Sequence, residues 1–383
     1  MKYIRRYHIF WLVGENSGDL HASLVMKSLN AQIPDIRHTG IGGPRMQALG
    51  LKPLYPFHRF AVMGFVEVLR HLFFFWKVEA GIKRHLKREK PDLVILVDYP
   101  GLNLRIANIT EHQRLPVLYF ICPQFWAWKH ERVFKLKQRT NHVACILPFE
   151  KEMLDIHNIN SSYVGHPISE EIQIELDREA FARFYKLDPA KQWLGFMPGS
   201  RNSEIQRMLP TFLEAAAKFD PQRYEFLFSK ARSVDHQLYM DIISSHKDVR
   251  THIVDGYTYE MMKYSSFMIS TSGTATLECA YLETPVLIGY KANPISYLIG
   301  RRLVRVKRIG LPNIVLDKDV LPELVQNDLT PQSIFDTVTT ILNDPQRLAD
   351  IRKELSLLRG MLSTPRPSEE MPRLISKMLN IDE

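Results

Sequence analysis

Apolar runs of three to seven residues recur along the chain and are separated by stretches of helical period. In the first half they occupy residues 7–13, 93–97, 117–121 and 143–147. In the second half they occupy 193–197, 224–229, 252–254, 267–269 and 285–290. Most are apolar at nearly every position, which predicts strands of a parallel sheet buried on both faces and not the alternation of a half-exposed one. Residues 20–29 and 204–219 carry helical spacing between them. Alternating strands and helices are the signature of βαβ units, so the fold class expected is α/β. Gly165, His166 and Pro167 interrupt the periodicity and mark a boundary. The organisation expected is an N-terminal domain at 1–167, a second α/β domain at 168–345, and a helical tail at 346–383.

Residues 61–78 depart from this pattern. Val62, Phe65, Val66, Leu69, Leu72, Phe73 and Trp76 follow helical spacing and form one apolar stripe. Phe73-Phe74-Phe75-Trp76 cannot all share it, because successive helical residues turn by about 100°. Glu67, Arg70, His71 and Lys77 exclude a comfortable membrane span. Either the helix is buried on two sides, or its surplus aromatics enter a lipid interface. The basic run Lys83, Arg84, His85, Lys87 and Arg88 tilts the choice towards an anionic membrane, a solvated helix face being the bland alternative. The lipid-facing set is then Val66, Leu69, Leu72, Phe73, Phe74, Phe75 and Trp76.

The net charge of +8 favours an anionic partner: nucleic acid, anionic lipid or a phosphorylated substrate. The three cysteines are odd in number and widely spaced, which argues for a reducing compartment and against a disulfide framework or zinc site. The basic N-terminus lacks a signal-peptide cleavage pattern.

Candidate chemistry concentrates where apolar runs end. Phe267-Met268-Ile269 leads into Ser270-Thr271-Ser272-Gly273-Thr274-Ala275-Thr276-Leu277-Glu278. A strand, a small-residue loop and a helix start make a phosphate site, since the first helical N–H groups lack intrahelical partners. Glu278, one turn in, can accept from a ribose diol. The bland alternative is a βα turn capped by Ser272 or Thr274. Asp98 ends the apolar run 93–97, where α/β sheets place their ligands. In Gly14-Glu15-Asn16-Ser17-Gly18-Asp19, Gly18 permits close backbone approach and Ser17 or Asp19 can cap the following helix. Ser200 followed by Glu204 approximates a capping pattern. Arg301, Arg302, Arg305, Lys307 and Arg308 are the densest basic cluster, read as a phosphate or anionic-lipid contact or as a solvated face. Metal motifs and a P-loop with its lysine are absent. Metal-free chemistry on a nucleotide-linked substrate is what remains. Arg201 and the amides of residues 272–275 would face the leaving diphosphate, and Asp98 would act as base across a cleft between the domains.

The motifs, taken together and in order, resemble the lipid-A-disaccharide synthase family. They are Gly14-Glu15-Asn16-Ser17-Gly18-Asp19, Gly42-Gly43-Pro44-Arg45-Met46, Val62-Met63-Gly64-Phe65-Val66-Glu67-Val68-Leu69 and Pro123-Gln124-Phe125-Trp126-Ala127-Trp128. Leu147-Pro148-Phe149-Glu150-Lys151, Pro198-Gly199-Ser200-Arg201, Ser272-Gly273-Thr274-Ala275-Thr276-Leu277-Glu278 and Leu311-Pro312-Asn313 complete them. The resemblance covers residues about 8 to 330. It implies two Rossmann-like domains facing a cleft (the GT-B glycosyltransferase arrangement) and an inverting transfer without metal or cofactor. The implied substrates are UDP-2,3-diacylglucosamine and 2,3-diacylglucosamine 1-phosphate. The implied location is cytoplasmic, peripheral on the anionic cytoplasmic face of a Gram-negative inner membrane. Nucleic acid is not an implied partner, and the oligomeric state is left open, a homodimer included. Carried onto this chain, Asp98 and Arg201 are catalytic; Ser200, Arg201, Ser272, Gly273, Thr274, Ala275, Glu278 and Asn313 bind the donor; Glu15, Ser17 and Asp19 bind the acceptor. The chain departs from the family pattern at Gly101, where a second acid is common, and at Asn16, where a small residue is. The competing expectations are another UDP-sugar enzyme of this architecture, an epimerase included, and a catalytically silent membrane-binding module.

Overall fold

The computed structural model describes residues 6–61, 72–127, 130–292 and 307–381. Val66, Leu69, Trp128, Arg301, Arg302 and Arg305 lie outside the described residues, as does the side chain of Leu72.

Two compact units divide the chain, one of residues up to Pro167 together with Ser363 onward, the other Ile168–Leu362. In the first, β1 (His8–Val13), β2 (Arg37–Ile41), β3 (Lys52–Pro53), β4 (Leu93–Val97), β5 (Val117–Phe120), β6 (His142–Cys145) and β7 (Ser161–Tyr163) form one sheet in the order 3-2-1-4-5-6-7. The second unit holds β8 (Gln192–Met197), β9 (Tyr224–Ser229), β10 (Thr251–Val254), β11 (Phe267–Thr271), β12 (Val286–Tyr290) and β13 (Glu323–Val325), in the order 10-9-8-11-12-13. All pairings are parallel. Both orders are doubly wound, with the first strand of each unit at the centre and the reversal of direction beside it. The α/β, two-sheet expectation therefore holds. Every residue of β1 and of β4 is buried, as the apolar runs Ile9–Val13 and Leu93–Val97 require.

The stretch expected as a separate tail is divided. The helix Pro345–Ser363 starts in the second unit, while Pro367–Met378 returns to the first and packs on the helix Asn16–Gln32. Gly165, where the chain leaves the first unit, has φ +87°. A Cβ there would lie 1.7 Å from the carbonyl oxygen of Pro365, where the chain re-enters. Only glycine fits that approach of one backbone to another.

The helix Leu72–Glu89 resolves the aromatic run into two faces. Phe75, Val78, Ile82, His85 and Leu86 are buried at the three- and four-residue spacing of one stripe. Phe60 takes both Phe74 and Phe75, at ring separations of 5.4 and 6.4 Å, and the Arg59 guanidinium lies over Phe74. Phe75 therefore leaves the lipid-facing set and belongs to the core. Phe73 and Trp76 stand 76% and 55% exposed, edge to face with each other. Lys77, Lys83, Arg84, Lys87 and Arg88 are exposed on the same helix.

Two buried polar clusters flank the first sheet, one on each face. The Trp11 indole N–H donates to Nδ1 of His38 (3.0 Å), whose Nε2 meets Asn30 Oδ1 (2.8 Å). An accepting Nδ1 fixes His38 as neutral. His8 Nε2 meets Thr39 Oγ1 at 2.7 Å, and His85 lies against the same hydroxyl. Burial above all pushes the pKa of His8 and of His38 down to about 4. As pH falls below about 6.5 the unfolded chain takes up these protons before the folded one does, so stability is present above that value and is lost as pH falls towards 4. The melting temperature should drop between pH 7 and pH 4.5, and His38→Gln should flatten the drop; a thermal melt series in matched ionic strength checks both.

Candidate active site

Val13 of β1 pairs with Val97 of β4, so Gly14 and Asp98 emerge side by side at the carboxyl edge of the first sheet. Asp98 N–H still donates to Phe120 O at 3.0 Å, one step beyond the ladder. Asp98 and Tyr99 then both turn left-handed, each with φ 45°. Side chains other than glycine resist that region, and it persists only when neighbours over-determine it. Here they do. Asn103 Nδ2 donates to Val97 O (3.0 Å) and to Asp98 O (2.5 Å), and the Tyr119 hydroxyl donates to Asp98 O (2.8 Å). The turn starts the helix Pro100–His112 and lays the Tyr99 ring across Gly14, where a Cβ would meet it at 2.5 Å. Burial first, and the Glu15 charge second, push the Asp98 carboxyl up to about 6.

Glu15 is the N-cap of the helix Asn16–Gln32, and no side chain caps it, contrary to the expectation for Ser17 or Asp19. Glu15 and Ser17 are exposed beside Asp98's strand end. Asp19 is buried and accepts from the amides of Arg45 (3.2 Å) and Met46 (3.3 Å), capping the helix Pro44–Ala48. It joins the motifs at 14–19 and 42–46, which corrects its reading as an acceptor contact. Another pair of motifs is joined the same way. Trp126 Nε1 donates to the buried Glu150 (3.0 Å), whose other oxygen accepts from Leu147 N, and the Trp126 ring stands edge-on to Phe149. Burial pushes the Glu150 carboxyl up to about 7.

In the second unit, β8 runs into Pro198-Gly199-Ser200-Arg201. Glu204 folds back so that Oε2 accepts from Ser200 N (2.8 Å) and Arg201 N (3.2 Å), with Arg201 at the N-cap of the helix Asn202–Ala216. The expected Ser200 cap is therefore shifted by one residue. A carboxylate already occupies these amides, so what this turn offers an anion is the Arg201 guanidinium, 77% exposed and steadied by Glu204 Oε1 at 3.0 Å.

β11 leads through Ser272 to the helix Thr274–Tyr281, with Gly273 at its N-cap and no side-chain cap. The bland alternative for this loop fails on that point. Ser272 Oγ donates instead to Ile309 O (3.0 Å), and Thr276 Oγ1 to Gly273 O (2.7 Å). Gly273 and Thr274 are exposed, Ala275 half-buried, and space stands open beside Gly273. Glu278, half-buried, lines a cavity of about 680 Å³ with Arg232, Tyr257 and Tyr259, a volume in the range of small-ligand sites. Burial, then the Glu171 charge, raise its carboxyl to about 7.

Asn313 does not face this cavity's ligand space. Its amide donates to Leu321 O and Glu323 Oε1 and accepts from Val320 N and Leu321 N, all within 3.1 Å. Its polar atoms are occupied within the protein, which corrects its reading as a donor contact. Glu323 also accepts from the amides of Ile309 (2.8 Å) and Gly310 (3.0 Å). Through Ile309 the Leu311-Pro312-Asn313 motif thus props the Ser272 loop. Arg308, from the basic cluster, bridges Asp317 and Asp319.

The model of the lipid-A-disaccharide synthetase family matches residues 9–371, nearly the whole chain. The chain belongs to the lipid-A-disaccharide synthetase family. It is similar to the lipid-A-disaccharide synthase of Trichlorobacter lovleyi, at 34% identity over 98% of each chain, and to that of Syntrophus aciditrophicus, at 36% over 94% of each. Among solved structures it resembles a putative UDP-N-acetylglucosamine 2-epimerase from Listeria monocytogenes (TM-score 0.65, 9% identity, 99% of this chain and 98% of that one). It also resembles the calicheamicin glycosyltransferase (0.63, 15%, 98% and 99%). At such identities these two show the fold alone. Membership of the lipid-A-disaccharide synthetase family separates the glycosyltransferase reading from the epimerase and silent-module ones.

Sequence reading missed the roles of Asn103, Tyr119, Glu150 and Glu323 in holding the site, while Glu204 is legible there as part of a cap. One signal was available for Glu150, since an indole N–H in a buried aromatic segment needs an acceptor.

Proposed function

We propose that this chain joins UDP-2,3-diacylglucosamine to 2,3-diacylglucosamine 1-phosphate and releases UDP. The acceptor hydroxyl attacks the anomeric carbon of the donor sugar, the bond from that carbon to the diphosphate oxygen breaks, and the configuration inverts. Asp98 takes the hydroxyl proton, and the diphosphate leaves with the bonding electron pair towards Arg201 and the first-turn amides of the helix Thr274–Tyr281. The observation that carries this reading is the strained, doubly held Asp98 at the carboxyl end of the central strand β4. Its raised pKa, about 6, suits a general base working near neutral pH. Ser200, Ser272, Gly273, Thr274 and Ala275 line the diphosphate approach. Glu278 accepts from the ribose hydroxyls, and Glu15 and Ser17 contact the acceptor. Asn313 and Asp19 support the loops.

The same reading places the protein on the anionic cytoplasmic face of the inner membrane. Among the described residues no helix is long and apolar enough to cross a membrane. Phe73 and Trp76 present aromatic surface beside the exposed cations of their helix, the composition of an interfacial contact.

Three outcomes test this reading. Wild type should convert the two diacylated precursors to disaccharide and UDP, with Asp98→Asn folding normally but turning over about a hundredfold more slowly. The wild-type rate should fall as pH drops through about 6, where Asp98 gains its proton; coupled UDP-release assays across pH read both. Arg201→Ala and Glu278→Ala should each weaken UDP binding about tenfold in calorimetric titration, through a lost charge-assisted contact; unchanged affinity in both places the nucleotide elsewhere. Phe73→Ser with Trp76→Ser should leave the melting temperature within a few degrees and shift the protein from sedimenting anionic vesicles to the supernatant, whereas Phe75→Ser should destabilise the fold by about 3 kcal/mol.

A further inference from the structure

A cavity of about 200 Å³ in the first unit opens beside Asp98's turn and has no role in the chemistry above. Pro100, Gly101 and Arg105 of the helix Pro100–His112 form one wall, and Arg132, Lys135 and Arg139 of the helix Arg132–Arg139 the other. Those four cations face one carboxylate in the lining, Glu131. The three from Arg132–Arg139 sit at i, i+3 and i+7, on one helix face.

Two of the guanidiniums are held in place by the protein. Arg105 pairs with Glu79, and Arg139 donates to Leu104 O at 3.1 Å with Glu111 3.9 Å away. Arg132 is half-buried, and that burial lowers its pKa, only partly offset by Tyr119 and Glu131. A dianion beside it would relieve the cost of holding that charge out of water. The side of the cavity at Gly101 is open, since a Cβ there meets nothing within 4 Å.

We propose that this cavity binds the phosphomonoester of the acceptor and selects a sugar 1-phosphate over the neutral sugar. The proposal rests on the acceptor reading given under Proposed function. That acceptor carries its attacking hydroxyl and its phosphate on one hexose, so base and phosphate site must lie within the span of one sugar. Gly101 follows Asp98 by three residues, which bounds their separation to about 10 Å. A phosphomonoester carries close to two negative charges near neutral pH and three acceptor oxygens. Planar guanidiniums and a lysine ammonium match both. An anionic phospholipid headgroup shares the phosphate chemistry, and the test separates the two.

Full-length protein in neutral detergent is titrated with 2,3-diacylglucosamine 1-phosphate and with its dephosphorylated form. Wild type should bind the phosphorylated form about tenfold or more tightly. In Arg132→Gln/Lys135→Gln the two affinities should converge on that of the neutral form, with circular dichroism and UDP affinity unchanged. Lys135→Gln alone, at an exposed position, should lose part of the preference and guards against a folding defect in the double variant. Equal binding of the two forms by wild type, or an undiminished preference in the double variant, overturns the proposal. Phosphatidylglycerol vesicles should bind wild type and double variant alike; a variant that leaves the vesicles yet keeps its preference makes the cavity a headgroup site and overturns it too. The two readings fail separately. Phosphate preference without disaccharide formation sinks only the transferase, and disaccharide formation without preference sinks only the phosphate site.

Discussion

The main-chain carbonyl of Asp98 accepts from Asn103 and from Tyr119, and the turn that ends β4 depends on those two bonds. Without them the chain would have no reason to hold two successive bulky residues left-handed. The carboxylate, the Tyr99 ring over Gly14 and the first turn of the helix Pro100–His112 would all reorient together. The strain is confined to two residues and sits where β4 ends. The donors that hold it come from elements already buried for other reasons: Tyr119 is a fully buried member of β5, and Asn103 is a buried member of the helix that the turn initiates. A rigid sheet thus fixes the Asp98 carboxyl without any residue devoted to that purpose alone.

The second unit solves a different problem with the same materials. Two turns at the carboxyl edge of its sheet have amides to offer, and they treat them in opposite ways. At residues 200–201 the carboxylate of Glu204 takes the amides, so only a side-chain cation remains for an anion. At the helix Thr274–Tyr281 no side chain caps the end, because Ser272 turns its hydroxyl to Ile309. One turn is closed by its own acid and the other is kept open by a distant loop. This division explains why the Leu311-Pro312-Asn313 motif matters although Asn313 is buried and internally bonded.

The strands at the centre of both sheets were legible because burial on both faces leaves few polar positions to confuse the pattern, as in Leu93–Val97. The edge strands β3, β7 and β13 were not: Lys52–Pro53, Ser161–Tyr163 and Glu323–Val325 are short and half polar, and tertiary pairing alone makes them strands. At the site, residues announced by local chemistry (Asp98, Arg201, Glu278) were read from their place after an apolar run. Residues that act by reaching across the fold were not, since nothing adjacent to Tyr119 or Glu323 in the sequence shows which amide or carbonyl each will meet. The aromatic run at 73–76 lies between these cases. Helical geometry required it to split, but only the packing of Phe60 decided that Phe75 turns inward while Phe73 and Trp76 stay out.

The return of Pro367–Met378 to the helix Asn16–Gln32 bears on how the chain matures. During synthesis the first sheet leaves the ribosome early, yet one of its covering helices is made only after the whole of the second unit. The helix Asn16–Gln32 therefore waits with part of its cover unmade, while residues 168–362 form a compact unit of their own. Vectorial synthesis should reverse the order of the chain: the unit made second can finish first, and the unit that starts the chain finishes last. A nascent protein arrested before residue 363 would then hold a finished second unit and a first unit still open to solvent along one helix.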